Sequence, residues 1–224
     1  MNMSILAQFE PKKITDFLFN NDQASNALFN IVNGAVPFPF AGKNGIIFYG
    51  VWGTGKSALA KILPQAMEDN RSQKEAYPRI EEIKPGNKGA DIMTSIDSQT
   101  NLIPYASNHY IILDEVDLLT ETAMSTLKSV MNKPETIFIM TTNDLTKIDR
   151  GVINRSVLID CNAAPAKAWL PKVRQVLSIY DIIVEDDEIL LDIIRPCNGS
   201  ARDIIYAAFN LACRLTSQRQ TENI

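Results

Sequence analysis

The stretch GIIFYGVWGTGKSALAKIL, residues 45–63, constrains this chain more than any other. Its first part is a continuous apolar run bounded by glycines, the pattern of a strand buried on both faces. From Lys56 the sequence favours a helix, which Pro64 is expected to bend or end. Between them, Gly50, four residues and Gly55-Lys56-Ser57 make the frame of a phosphate-binding loop. A buried strand that passes through a glycine loop into a helix opens a parallel α/β unit.

In such a loop successive backbone N–H groups converge on the β- and γ-phosphates of a nucleotide, aided by the helix N-terminus. The expected binding residues are Gly50, Val51, Trp52, Gly53, Thr54, Gly55, Lys56, Ser57 and Ala58. The geometry needs glycine at 50, 53 and 55. Lys56 supplies a cation and Ser57 a hydroxyl for Mg²⁺. Val51 and Trp52 are bulky where the backbone must approach a phosphate, but their side chains can point outward while their amides point inward. Trp52 is then a solvent-facing loop residue or one that packs on a neighbouring subunit; both readings stand at this point.

Four further runs read as strands: RIEEI (79–83), YIILD (110–114), TIFIMT (136–141) and SVLID (156–160). Helical patterns separate them. Asn21-Asp22 can cap a helix with Ala24, Ala27, Leu28 and Ile31 on one face, ended by Gly34. Residues 120–131 place Ala123, Met124, Leu127, Val130 and Met131 on one face. After Cys161 only helical patterns follow. Pro165 opens one helix with Trp169, Val173, Val176 and Leu177, Asp186-Asp187 leads into one with Ile189, Leu190, Ile193 and Ile194, and Ser200-Ala201-Arg202-Asp203 has the form of a capping box. The expected architecture is a parallel five-stranded α/β domain over residues 1–162 and a small helical domain over 163–224.

Composition bounds the function. At 46% apolar and 21% charged the chain has a globular balance, which argues against disorder. A net charge of −4 argues against a generic nucleic-acid binder. Cys161, Cys197 and Cys213 have no paired spacing and His109 is the single histidine, so no zinc site is expected. No apolar run reaches membrane length and no signal-peptide pattern opens the chain, so a cytoplasmic protein is expected.

YIILDEVD ends a buried strand in Asp114 and Glu115. Ligands of open α/β sheets bind at that edge, and two adjacent carboxylates there can divide the work. Asp114 would hold Mg²⁺ and Glu115 would polarise the attacking water. A third apolar strand ends in TTN (141–143), where the Asn143 amide could orient that water. Asp117 reads as a helix-start residue.

The ordered set of strand–loop, strand–DE and strand–N resembles the AAA+ ATPases, and sliding-clamp loader subunits in particular, over nearly the whole chain. FEPKKITDF is similar to their Tyr-Arg-Pro element, and GSARDIIYAAF to the Gly-x-x-Arg segment of their helical lid. The resemblance implies ATP and Mg²⁺ as cofactors, Glu115 as catalytic base, Asn143 as sensor 1, and Arg202 as the lid arginine that reads the γ-phosphate. Arg155, in NRS, matches the arginine of the Ser-Arg-Cys motif that reaches into the adjacent subunit's site; Arg150 is a rival off the motif. Lys88, before Gly89, matches a residue that contacts the DNA backbone. The chain departs from the pattern at Phe9-Glu10-Pro11, at Val51-Trp52 and at Asn132, where an acid is usual. It stops after the lid, where clamp-loader subunits carry a further helical collar.

The resemblance implies three kinds of partner: AAA+ subunits of the same or a sister type, a sliding clamp or a helicase, and primer–template DNA. Two other functions share these features: a helicase-loading or replication-initiation ATPase, and an ATP-gated assembly module with slow turnover. An unfoldase is disfavoured, because KPGNKG lacks an aromatic to grip threaded polypeptide.

Overall fold

The structure, a computed structural model, describes residues 9–84 and 89–222. Lys88 and most of the KPGNKG turn lie outside the described residues. The five strand candidates form β1 (Gly45–Tyr49), β2 (Arg79–Glu82), β3 (His109–Asp114), β4 (Thr136–Thr142) and β5 (Ser156–Asp160). They make one parallel sheet in the order β2-β3-β4-β1-β5. The central position of β1 explains its unbroken apolar run: it is hydrogen-bonded on both sides and covered on both faces.

The period of two along β1 divides the core. Ile46 and Phe48 face α1 (Asp22–Val32) and α2 (Lys56–Arg71), together with Leu28, Leu59 and Leu63. Ile47 faces the other way, with Met93 of α3 (Gly89–Gln99), Leu127 of α4 (Glu121–Val130) and Val152 of α5 (Arg150–Asn154). Asn21 caps α1 by accepting the Ala24 N–H at 2.9 Å, and Gly34 follows its end at φ +72°.

Pro64 neither ends nor interrupts α2, which runs on to Arg71. An interior proline removes one hydrogen bond and costs about 3 kcal/mol. Leu59, Leu63 and Met67 are fully buried against the sheet, and a residue of that kind contributes roughly 1.5–3 kcal/mol, so tertiary burial outweighs the local cost. One turn later Glu68 is fully buried. Its carboxylate accepts from Tyr110 Oη at 2.6 Å, Ser107 N at 3.2 Å, Ser107 Oγ at 3.0 Å and the Ser72 hydroxyl. Burial pushes its pKa up, but these four donors outweigh burial and hold it below the ordinary value.

The C-terminal helices are α6 (Leu170–Ser178), α7 (Asp187–Ile194) and α8 (Ala201–Glu222). They surround their own core of Val173, Val176, Leu177, Leu190 and Ile204. In α7 the sequence-predicted Ile189 is half exposed and Leu191 is buried in its stead. Phe9 joins this core from the start of the described chain, edge-on to Phe209 with ring centroids 5.7 Å apart.

Candidate nucleotide site

The loop after β1 takes its shape from its glycines. Gly50, Gly53 and Gly55 have φ of +146°, +78° and +93°, values that L side chains rarely adopt. A Cβ on Gly50 would come within 2.7 Å of the Cys161 and Asn162 backbone, and one on Gly53 would overlap Ser200. Thr54 Oγ1 donates to Val51 O at 3.1 Å and ties the loop across itself. Asn162 Oδ1 accepts the Val51 N–H at 3.2 Å. Val51 and Trp52 point outward, and Trp52 is 74% exposed.

Lys56 opens α2 but is buried under the loop, where Nζ donates to Gly50 O at 2.9 Å and Val51 O at 2.7 Å. Burial pushes its pKa down, while the neighbouring acids Asp114, Asp117 and Glu115 act in the opposite sense. Ser57, next in sequence, donates its hydroxyl to Asp114 Oδ1 at 2.8 Å. Loop and acidic strand end therefore meet at one point.

Parallel register brings the rest of the site to the same edge. Leu113 pairs with Met140, so Asp114 ends β3 beside Thr141 of β4. The Thr141 hydroxyl donates to Asp114 Oδ1 and accepts the Glu115 N–H at 3.0 Å. Glu115 has φ +60° and ψ +50°, a left-handed conformation uncommon for a non-glycine residue and often found at functional sites. Asp117 lies in the short turn Val116–Leu118; its Oδ1 accepts from Thr142 Oγ1 at 2.8 Å and from Asn143 N at 3.4 Å. It thus joins the acidic turn to the strand end that carries Asn143.

Arg202 lies in the first turn of α8, next to Ala201, whose N–H donates to Gly53 O at 2.9 Å. The helical domain therefore docks directly on the loop and holds Arg202 near it. Arg155 does not join this group. Its carbonyl accepts from Asn44 N and Gly45 N, both at 3.0 Å, so it sits where β1 begins. Five residues of β1 separate it from Gly50, a span of about 16 Å along the strand. The Arg155 side chain donates to Gly151 O at 3.0 Å and Asn132 Oδ1 at 3.3 Å. Arg150 begins α5 on the same side of the molecule and is exposed.

A cleft beside the loop is lined by Phe9, Phe17, Thr54, Gly55, Trp169 and Ile205. It is small, about 50 Å³, is lined also by Asp16 and Lys172, and its Phe9, Phe17 and Trp169 are buried in the packed cores. The residues fit a nucleoside triphosphate with Mg²⁺: three glycines leave room for phosphate, Lys56 would supply a cation, and Ser57 and Asp114, already 2.8 Å apart, would supply hard oxygen donors to one metal. Sequence reasoning missed Thr141 and Asn162. It placed Asp117 as a helix-start residue without its bond to β4. Thr141 had a visible signal, as the first residue of TTN beside a strand that ends in acid; the others rest on contacts distant in sequence.

The family model for the ATPase family associated with various cellular activities matches residues 46–160, just over half of the chain. The chain belongs to the AAA ATPase family. This AAA ATPase is 24% identical over 147 residues to replication factor C small subunit 2 of Pyrobaculum islandicum, which covers 63% of the chain and 45% of the relative. It is 25% identical over 213 residues to replication factor C subunit 4 of Encephalitozoon cuniculi, covering 88% and 65%. The chain spans a third to two thirds of the length of the curated relatives it matches. Among solved structures it is similar in fold to the Holliday junction branch migration motor RuvB of Thermotoga maritima, with a TM-score of 0.63 at 15% identity over 96% of this chain and 67% of that one. A variant of the same protein gives a TM-score of 0.68 at 15% identity, covering 94% and 68%. Among the described residues no helix is long and apolar enough to cross a membrane.

Proposed function

We propose that this AAA ATPase hydrolyses ATP at sites shared between protomers and couples the cycle to handling a sliding clamp on primer–template DNA. The observation that carries the reading is a separation. Asp114 and Glu115 share the edge of the phosphate loop, whereas Arg155 stands a full strand length away, at the far end of β1. An arginine there is out of reach of its own loop, and by exchanging its present partners Gly151 O and Asn132 Oδ1 it serves a neighbour's.

The roles follow from position. The loop amides and Lys56 hold the phosphates, with the ammonium exchanging its two carbonyl partners for phosphate oxygens. Ser57 and Asp114 hold Mg²⁺, which when bound neutralises charge on the β- and γ-phosphates. Glu115 takes the proton of the attacking water, and Asn143 orients that water. Arg202 from the lid of the same chain and Arg155 from the adjacent chain stabilise the charge that develops on the phosphates.

One feature supports a macromolecular partner. The loop ahead of β3 exposes Leu102, Ile103 and Tyr105, with Ile103 at 94%, and Tyr77 stands edge-on to Tyr105 at 5.3 Å. A patch of this kind supports docking of a protein, and a sliding clamp is the one that the sequence resemblance to clamp-loader subunits implies. Lys88 is proposed to meet the DNA backbone. A helicase-loading role rests on the same features with a different protein on that loop.

The test is ATP turnover of the purified chain with and without primer–template DNA, with Glu115→Gln as control. Stimulation by DNA that vanishes in the variant supports the proposal. Slow turnover indifferent to DNA overturns the DNA-handling part and favours an ATP-gated assembly module.

A further inference from the structure

The opposite edges of the sheet carry an apolar projection and an apolar groove. At the C-terminal edge, Val51 and Trp52 project from the phosphate loop, 42% and 74% exposed. At the N-terminal edge, a groove of about 270 Å³ opens between the end of α1 and the turn before β1, lined by Ile31, Val36, Pro37, Phe38, Phe40 and Val157. Phe40 is 65% exposed and Val36 47%.

The groove is joined to Arg155. Phe40 and Lys43 exchange backbone hydrogen bonds of 3.0 and 2.9 Å around a tight turn, with Ala41 and Gly42 both at positive φ. Lys43 Nζ then donates to Asn154 O and Ser156 O, each at 2.9 Å, so one side chain brackets Arg155 from both sides. The rim of the groove and the backbone on either side of Arg155 are therefore tied together by Lys43. Trp52 is likewise two residues from Gly50, at the loop this arginine is proposed to reach.

We infer that Trp52 of one copy seats in the Phe40 groove of the next, beside the Arg155 that completes the first copy's nucleotide site. The inference rests on the reading that Arg155 acts across an interface, and it names the contact that brings it there. The occupant is a second copy because both halves of the contact are on this chain, at the two edges that such a reading sets face to face. A knob at one end and a hole at the other give a head-to-tail contact, which repeats into a ring or an open spiral. A tryptophan entering an apolar pocket is the residue type that most often dominates interface energy.

Sedimentation velocity with ATP and Mg²⁺ tests this, in a Glu115→Gln background that keeps the nucleotide in place. The parent is expected to assemble. Trp52→Ala and Phe40→Asp, both on exposed side chains, are each expected to raise the concentration of half-assembly about 30-fold or more, with unchanged thermal melts. Mixed together, the two variants are expected to recover dimers but nothing larger, since only one intact contact forms per pair. Assembly of either variant as in the parent overturns the inference. So does a parent that binds a fluorescent ATP analogue yet stays monomeric, while leaving the nucleotide reading intact. A parent that binds no ATP overturns that reading and the inference with it.

Discussion

Thr141 and Asp114 are joined at the end of adjacent strands by a hydrogen bond from the threonine hydroxyl to Oδ1, and the same hydroxyl receives the Glu115 N–H at 3.0 Å. One buried side chain thus fixes the proposed metal ligand and the left-handed peptide of the proposed base. Thr141→Val keeps the shape but leaves the Glu115 N–H without its partner, a loss of about 1–3 kcal/mol. The expected outcome is a kcat lower by about 10–100-fold with KM for ATP changed only a few-fold, and recovery in Thr141→Ser. Equal losses in kcat and in nucleotide affinity would instead mark Thr141 as a general support of the fold.

The distance between Arg155 and its own loop gives a second expectation. Arg155→Ala and Glu115→Gln should each abolish most turnover when alone. A chain with Arg155→Ala retains its own loop and acids, and one with Glu115→Gln retains a working arginine. Mixed in equal amounts, they should restore activity at about a quarter of the interfaces, those that join the two intact halves. Turnover that stays at the sum of the separate variants would show that Arg155 does not act across an interface.

Much of this fold was legible because its signals are local. Every strand but the charged edge strand β2 carries a short apolar run with glycine, proline or polar residues at its ends, and the loop, the DE pair and the Asn143 strand end follow their strands directly. Strand order was not legible from those runs: β1 pairs with β4 and β5, more than 80 residues away. That Pro64 does not end its helix was illegible for a related reason. Its local cost is visible in the sequence, whereas the sheet that offsets it is assembled from distant strands. In the site, Asn162 on Val51 and Ala201 on Gly53 are contacts across 111 residues or more, and no pattern within either segment announces them.

Glu68 is a case of the same kind, with donors from 4 to 42 residues away. Glu68→Ala strands the Tyr110 hydroxyl and the Ser107 N–H, and should cost about 2–4 kcal/mol. In a chain of this size that lowers Tm by roughly 4–16 °C. The pH dependence has a fixed sign. The folded carboxyl titrates below its ordinary value of 4.5, so its contribution is full above that value and is lost as the pH falls through the folded pKa. The parent should lose more stability than Glu68→Ala over that acid range. Thermal melts of both proteins from pH 7 down to about pH 3 would reveal it, and parallel curves would contradict the assignment.

The link between the helical domain and the loop can be broken at one atom. Gly53 has φ +78°, and a methyl group there would overlap Ser200 Oγ, at the start of the helix that carries Arg202. Gly53→Ala therefore strains the loop by about 1 kcal/mol and also pushes the helix away, so that the bond from Ala201 N to Gly53 O is lost. Without nucleotide the two packed cores remain and Tm should change by only a few degrees. With ATP and Mg²⁺ the rise in Tm should shrink, because affinity falls about tenfold or more when loop and lid no longer close on the same phosphates. A thermal shift titration of Gly53→Ala against the parent decides it. A full nucleotide-dependent rise in the variant would mean that the loop holds its ligand without the lid.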